Sequence, residues 1–389
     1  MRSPRQIIAA VAAGLLLLVG GIWLGGHPET LPGFARNAFV NDDRALRAEL
    51  VNDIKDNFYK PVSDKQIDES SLKGIVEGLN DRFSNYLTPK ETSQFQDSVQ
   101  GRFDGVGMSV DQDKRGLRVL NVFEDSPAKK AGIKKGDFVT EVNGKSIAGV
   151  ASSVATARIK GTAGTKVRLQ IVDVKKGTTK DYRLERKRIE VPVAEGRVAK
   201  SGGTTYGVVK LQGFSEGAHG LLREQVDKVR KLGARGIVLD LRGNGGGLLR
   251  EGVLVSSIFI DKGLITYTKG RTSPRRDFNA TGGAIPKNVP VVVLVDRGSA
   301  SASEIVTGAL RDTKRATVVG TRTFGKGVFQ QVLPLSNGGV LDITVGEYFL
   351  PGGKNINGKG IQPAVKASDD PDTKRDEALP KALKALSRK

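Results

Sequence analysis

The sequence predicts an α/β fold for the C-terminal half of the chain, within a protein that is multidomain α+β overall. At 389 residues, the chain is long enough for two or three domains. From about Tyr206 onward, strand-like and helix-like segments alternate, which is typical of a mostly parallel sheet covered by helices. Between about Val99 and Leu184 the segments are short and strand-like, and before Val99 the pattern is helical.

The helical pattern begins near Asp43. Its apolar residues recur at four-residue steps, as one face of a helix requires, at Leu46, Leu50, Ile54 and Phe58. A second helix is predicted around Ser70–Phe83. A third follows Thr88, because Thr88 can cap it and Pro89 suits the first helical position.

The strand-rich region that follows resembles a small β-domain. Strands are predicted at Gly107–Val110, Leu117–Phe123, Phe138–Val142, Val167–Val172 and Asp181–Leu184. Helices are predicted at Pro127–Ala131 and Ser152–Ile159, and Asn143-Gly144 is a tight-turn dipeptide.

The α/β region contains three predicted strands, at Tyr206–Leu211, Gly236–Leu241 and Val289–Val295, and after Thr317–Gly320 the sequence is β-rich through Leu350. The helices between them are predicted at Gly220–Leu232, Leu248–Ile260 and Ser301–Arg311. A charged tail begins at Asp369.

The N-terminus predicts the compartment. Arg2 and Arg5 precede an uncharged stretch, Ile7–Gly26, whose 20 residues are about the length of a membrane-spanning helix. The basic residues place the N-terminus in the cytoplasm, so we expect the remainder on the extracytoplasmic side. We favour an uncleaved anchor over a cleaved signal peptide, which would leave the protein secreted or periplasmic.

Composition excludes several chemistries. The chain has no cysteine and only two histidines, which removes thiolate sites and makes a multi-histidine metal site improbable. The net charge of +20 favours anionic partners. Nucleic acid is a poor candidate, because aromatic residues make up only 5% and the basic residues are scattered.

Three motifs are candidates for chemistry. Gly320–Lys326 matches the first seven positions of a P-loop, but Gly327 replaces the Ser or Thr that would hold magnesium. Ser301 and Glu304 fit a capping box, although a serine at such a strand-to-helix turn also suits a nucleophile.

A base for that serine would be a lysine whose pKa is lowered by burial, and Lys326 between two glycines is the candidate. His219 is a weaker alternative in a polar turn. The third motif, Asp240–Gly247, ends a predicted strand where open α/β sheets place their ligands.

Three segments, Asp240–Gly247, Gly298–Ile305 and Thr323–Gln331, resemble the signature blocks of the C-terminal processing peptidases, or tail-specific proteases. This family combines a crotonase-like α/β protease core with an inserted PDZ domain. The strand-rich region resembles that domain at Phe103–Met108, Ser126–Asp137 and Val142–Gly144, and Asp81–Pro89 resembles the family's N-terminal part.

The resemblance implies a serine-type endopeptidase. It implies Ser301 as nucleophile, Lys326 as general base and Gln330 as the residue that positions the lysine, with both on one face of a strand. The oxyanion donors would be the N–H groups of Gly247 and Ala302. It implies neither a metal nor a cofactor.

The implied substrates are protein or peptide C-terminal tails, bound as an extra strand of the PDZ domain. Their carboxylate would be capped by a loop made of Gly105, Val106, Gly107 and Met108. The oligomeric state stays open, a homo-oligomer included. The alternative is an exported PDZ scaffold on an inactive core.

The expected domain organisation has six parts. They are an anchor or signal segment at 1–26, a linker at 27–42, an N-terminal helical part at 43–98, a PDZ domain at 99–188, a serine protease core at 189–368 and a charged tail at 369–389.

Overall fold

The structure is a computed structural model that describes residues 13–21, 23, 42–58, 60–150, 152–174, 176–369 and 375–387. The chain divides into two compact units, Met1–Tyr86 and Leu87–Lys389.

In the first unit, residues 13–21 are helical, and two further helices follow, α1 (Asp42–Asn57) and α2 (Asp64–Glu77). Helix α2 starts six residues before the predicted one because the Ser63 hydroxyl caps it, accepting from the Gln66 N–H at 3.3 Å. It ends before Asp81, whose carboxylate accepts from the Phe83 N–H and the Ser84 hydroxyl in a turn.

Half of the predicted membrane segment Ile7–Gly26 lies outside the described residues. Among the helices that are described, none has both the length and the apolar character needed to span a membrane.

A short strand, β1 (Asn85–Leu87), falls at the division between the units, and helix α3 (Pro89–Gln100) opens the second unit. Thr88 caps α3 as predicted: its hydroxyl accepts from the Glu91 N–H, and the Glu91 carboxylate accepts from the Thr88 N–H at 2.8 Å.

The β-domain consists of β2 (Arg102–Gly105), β3 (Met108–Asp113), β4 (Gly116–Val122), α4 (Pro127–Lys130), β5 (Phe138–Val142), β6 (Lys145–Ser146), α5 (Ser152–Ile159), β7 (Lys166–Asp173), β8 (Thr178–Glu185) and β9 (Lys187–Glu190). Strands pair antiparallel in the order β3-β4-β5-β7-β8, and β2 pairs with β9. The predicted turn lies between β5 and β6, with positive φ at Asn143 and Gly144. Inward side chains form a core that includes Leu117, Val139, Ile147 and Leu169.

The α/β domain begins with β10 (Ala194–Ser201), β11 (Thr204–Leu211), α6 (Ala218–Lys231), β12 (Ile237–Asp240) and α7 (Leu249–Ser257). It continues with β13 (Leu264–Lys269), β14 (Arg276–Asn279), β15 (Val291–Val295), α8 (Ala302–Asp312), β16 (Ala316–Gly320), β17 (Val328–Pro334), β18 (Val340–Phe349), β19 (Val365–Lys366) and α9 (Ala378–Leu386).

Its main sheet has the order β10-β11-β12-β15-β16-β19, with parallel pairing from β11 to β19. The predicted parallel α/β sheet is therefore present. Helices α6, α7 and α8 cover one face, and α9 covers the other. Strand β12 shows the division, because Ile237 and Leu239 face the first layer and Val238 faces the second.

Two features near the sheet position the site. A second, antiparallel group of strands runs β17-β18-β13-β14. Arg242, two residues after the end of β12, binds Asp240 at 2.7 Å and Asp376 at 3.0 Å, which ties the segment before α9 to the start of the glycine-rich turn. These carboxylates hold the pKa of Arg242 above its usual range.

Candidate active site

Ser301 lies directly before α8, at the edge of the sheet where the parallel strands β12 and β15 end. Its φ of 57° and ψ of −116° are unusual for a residue with a side chain, a conformation that costs on the order of 1–3 kcal/mol. The side chain is half-buried and lines a cleft of about 1720 Å³.

The two neighbouring serines serve the fold. Ser299 and Ser303 are fully buried. The Ser299 hydroxyl donates to the Leu241 carbonyl at 2.8 Å, and the Ser303 hydroxyl donates to the Asn244 carbonyl at 2.8 Å. Neither lines the cleft, so Ser301 is the one of the three that faces it.

Glu304 links the serine loop to the lysine loop. Its side chain is fully buried and accepts four hydrogen bonds, three from backbone N–H groups and one from a hydroxyl. Oε2 accepts from the N–H groups of Ser301 at 3.0 Å and Lys326 at 2.9 Å. Oε1 accepts from the Thr323 hydroxyl at 2.5 Å and the Gly325 N–H at 2.8 Å. Burial raises the pKa of Glu304, while these donors oppose the rise because they favour the charged carboxylate.

Tyr348, on β18, also links the serine loop to the lysine loop, through the backbone carbonyls of Ser301 and Lys326. Its hydroxyl lies 3.3 Å from the Ser301 carbonyl oxygen and donates to that of Lys326. Burial beside Glu304 raises the pKa of Tyr348 well above its ordinary value, so the hydroxyl keeps its proton. One oxygen of Glu304 and one hydroxyl of Tyr348 therefore each contact the backbones of both Ser301 and Lys326.

Lys326 and Gln330 line the same cleft as Ser301. The prediction that Lys326 and Gln330 lie on one face of a single strand is wrong, because β17 begins only at Val328. The pairing of β17 with β18 also shifts between Phe329 and Gln330. The Gln330 amide donates to the Thr344 hydroxyl at 3.0 Å. Asp342 also lines the cleft; its pKa is raised by burial and lowered by the charge of Lys326.

The glycine-rich turn packs against Ser301. A Cβ on Gly246 would lie 2.7 Å from the Ala300 carbonyl oxygen and 2.9 Å from the Ser301 Cβ, so only glycine fits. Among the described residues, the N–H groups of Gly247 and Ala302 have no hydrogen-bond acceptor. Two free N–H groups beside a serine side chain are what an oxyanion hole requires.

Asn244, which is fully buried, fixes that turn. Its amide donates to the Leu211 carbonyl at 2.9 Å and accepts from the Gly246 N–H at 2.9 Å. Its backbone carbonyl accepts from the Ala300 N–H at 3.0 Å. Asn244 thus joins the end of β11 to the glycine-rich turn through its side chain, and that turn to the serine loop through its backbone carbonyl.

Two alternatives from the sequence do not fit the site. The P-loop interpretation is wrong, because Lys326 is followed by a strand, whereas a P-loop opens a helix. His219 is absent from the cleft lining. Its Nδ1 lies 2.8 Å from Glu251 Oε2, a carboxylate that also accepts from the backbone at the start of α6.

The predicted carboxylate loop lies between two strands of the β-domain. Gly105 ends β2, Met108 begins β3, and Gly107 between them has a φ of 81°. The N–H groups of Val106 and Gly107 contact no acceptor within the described part of the chain. Helix α5 packs against β3 and β4.

Sequence reasoning missed the bridging roles of Glu304, Tyr348 and Asn244. Glu304 had a signal, the S-x-x-E spacing, but that spacing indicates only a local cap. Its other partners, Thr323, Gly325 and Lys326, reach it through the fold.

Comparison with known proteins agrees with this architecture. The model of peptidase family S41 matches residues 205–367, and the PDZ domain model matches residues 92–172. A probable CtpA-like serine protease of Staphylococcus haemolyticus is 37% identical over 316 residues, which cover 80% of this chain and 62% of that protein. A protein of the same description from Staphylococcus saprophyticus is 35% identical over 335 residues, covering 86% of this chain and 67% of that protein. The chain thus spans about two thirds of the length of these relatives.

Among solved structures, a photosystem II D1 C-terminal processing protease is 28% identical, with a TM-score of 0.50 over 87% of this chain and 89% of that one. An S41 protease structure from Bacteroides fragilis, described as putative, is 19% identical with a TM-score of 0.52, covers 85% of this chain and 92% of that one, and shows the fold alone.

The fold and these matches define a class, the serine-type peptidases that carry a PDZ domain. Within that class, the chain belongs to peptidase family S41.

Proposed function

We propose that this protein is an exported serine endopeptidase that uses Ser301 and Lys326 as a catalytic dyad and selects substrates by their C-terminal tails. The observation that carries the proposal is the double bridge of Glu304 and Tyr348, which brings the backbones of Ser301 and Lys326 together beside two free N–H groups.

In the first half of the reaction, neutral Lys326 takes the proton of the Ser301 hydroxyl while its oxygen attacks the peptide carbonyl carbon. The N–H groups of Gly247 and Ala302 hold the negative charge that develops on the carbonyl oxygen. The C–N bond then breaks, and the amine product leaves with the proton that Lys326 returns.

In the second half, Lys326 takes a proton from water, and the hydroxide attacks the ester carbonyl. The ester bond breaks, Ser301 recovers its proton from Lys326, and the acid product leaves. Gln330, on β17, orients the lysine, which precedes this strand. Every step uses groups of the chain and water alone.

A serine-reactive fluorophosphonate tests the dyad. We expect it to label the wild-type protein at Ser301, and peptide cleavage to disappear in the Ser301→Ala variant without loss of the folded state by circular dichroism. Absence of both labelling and cleavage in the wild type would favour the inactive PDZ scaffold instead.

We propose that the PDZ loop reads the substrate's free carboxylate. Support comes from Val106 and Gly107, whose free N–H groups lie directly before β3, the strand that a tail would extend. Cleavage of one peptide with a free or an amidated C-terminus tests this, and we expect the amide to be cleaved more slowly. Equal rates would contradict it.

The place of action is the extracytoplasmic side of the cytoplasmic membrane. The proposal rests on the charge-free stretch Ile7–Gly26 after two arginines. Fractionation of cells that express the full chain, with protease added outside, tests both the side and the anchoring.

A further inference from the structure

We infer that the cleft prefers substrates with acidic residues around the cleaved bond; this rests on the proposed function. Six of the charged side chains that line the cleft are basic and two are acidic. That ratio of three to one exceeds the whole chain's 62 to 42, so the excess of positive charge is concentrated at the site.

Three of the basic residues have most of their hydrogen-bonding capacity free. Arg102 begins β2, Arg250 lies in the first turn of α7, and Arg276 begins β14. Among the described residues, none of these three has a carboxylate within 4.0 Å. Arg102 donates through Nε to the Gln100 side chain, and Arg276 lies 5.1 Å from the centre of the Phe278 ring.

The other charges of the cleft are largely paired. Lys160 binds Asp97 at 3.3 Å, and Arg275 binds Asp277 at 2.7 Å while lying over the Tyr267 ring. Asp342 lies near enough to Lys326 to be influenced by its charge. Arg102, Arg250 and Arg276 therefore line the cleft without a carboxylate partner in the described part of the chain.

Three elements far apart in sequence thus contribute arginines to the lining of one cleft that also holds Ser301. A guanidinium has five N–H donors and no acceptor, and it binds carboxylates through two of them at once. A concave site with one sign of charge also concentrates oppositely charged ligands. Glutamate and aspartate side chains near the scissile bond are the peptide groups that fit.

Three quenched fluorescent peptides test the inference. They share one alanine-rich scissile core and one apolar C-terminal tetrapeptide with a free carboxylate, so that the PDZ domain meets the same end. They differ only in three flanking residues on each side of the core, which are Glu, Gln or Lys. We expect kcat/KM to fall in the order Glu, Gln, Lys. The Glu advantage should shrink between 50 and 500 mM NaCl, because salt screens exposed charges beyond a distance that is about 10 Å at 0.1 M and shorter at higher salt.

The variants Arg102→Gln, Arg250→Gln and Arg276→Gln should each reduce the Glu-to-Gln ratio by about threefold, and the triple variant by on the order of tenfold, as expected for exposed charge pairs. Arg235→Gln is the matched control, because Arg235 is exposed and lies outside the cleft lining. It should leave the ratio unchanged.

Binding of the same peptides, labelled, to the Ser301→Ala variant gives a second readout that needs no catalysis. Tighter binding of the Glu peptide, lost in the triple arginine variant, supports the inference. Equal binding of all three peptides, or a Glu preference that survives the triple variant, overturns it. If the Gln peptide is cleaved in a Ser301-dependent way without any Glu preference, the proposed function stands and this inference alone fails.

Discussion

Replacing Glu304 with glutamine should damage both the fold and the reaction, because every partner of this side chain is a donor. The carboxylate uses Oε1 for Thr323 and Gly325 and Oε2 for Ser301 and Lys326. Glutamine keeps one oxygen and replaces the other with an NH₂ group. In either orientation, that NH₂ faces two donors, so two of the four hydrogen bonds are lost.

The expected loss is large. A hydrogen bond to a charged group contributes about 1.5–3 kcal/mol, so losing two gives about 3–6 kcal/mol. Native domains are stable by only about 5–15 kcal/mol, and each kcal/mol shifts the melting temperature by about 2–4 °C for a domain of this size. We therefore expect the melting temperature to fall by about 6–24 °C. A shift of about 1 Å between the reacting groups can cost on the order of a hundredfold in rate, so kcat should fall by at least that much.

Scanning calorimetry and the rate of labelling by a fluorophosphonate measure the two effects in Glu304→Gln, at a temperature where the variant is folded by near-ultraviolet circular dichroism. Glu195→Gln, a change at an exposed glutamate of β10, is the matched control. Tyr348→Phe removes only the hydroxyl of the second bridge and should give a smaller effect of the same kind. Wild-type melting and labelling in Glu304→Gln would refute the bridging role.

Three further outcomes are expected. Ser299→Ala should lower the melting temperature, because it removes the hydrogen bond to the Leu241 carbonyl, yet leave a serine that the fluorophosphonate labels; loss of labelling with a normal fold would mean that the nucleophile is misassigned. The rate at subsaturating substrate should rise with pH as the general base Lys326 loses its proton, and Lys326→Arg should be inactive at every pH because a guanidinium stays charged; an active arginine variant would exclude the lysine as base. Gly246→Ala should lose activity, because the added Cβ would clash with the serine loop. Gly245→Ala should keep most of its activity, because a Cβ at that position has no atom within 4 Å. Peptide cleavage by the two variants, compared at equal folded fraction, tests this difference.

Periodic patterns predicted the main elements well where burial is regular. The strand Phe138–Val142 and the helix Ser152–Ile159 match the structure to the residue. The three strands predicted for the main sheet differ from the observed ones by one or two residues at their ends. These segments bury one face or both, so their apolar spacing reports their structure directly.

Elements with mixed exposure were missed. Strand β14, whose Arg276 lines the cleft, is exposed at three of its four residues and has no alternating pattern. Strand β10 alternates only between exposed and half-buried residues, none of them fully buried. Such strands are specified by their partners across the sheet, which a local pattern does not reveal. The cleft wall was therefore less predictable than the residues at its centre.

The geometry around Ser301 gives one reason for the identity of residue 304. The backbone of Ser301 is held in an unfavourable conformation, and such a conformation persists only where its surroundings over-determine it. Its N–H donates to Glu304, and its carbonyl oxygen lies 3.3 Å from the Tyr348 hydroxyl. The same two side chains bind the backbone of Lys326. The contacts that hold Ser301 in its strained conformation therefore also fix the backbone of the lysine. A buried carboxylate carries a desolvation cost that a neutral side chain avoids. Its advantage here is two acceptor oxygens that can serve four donors at once, a capacity that glutamine lacks. The S-x-x-E spacing thus has a role beyond starting a helix, because Glu304 couples the strained serine to a lysine that lies 22 residues after Glu304 in the sequence.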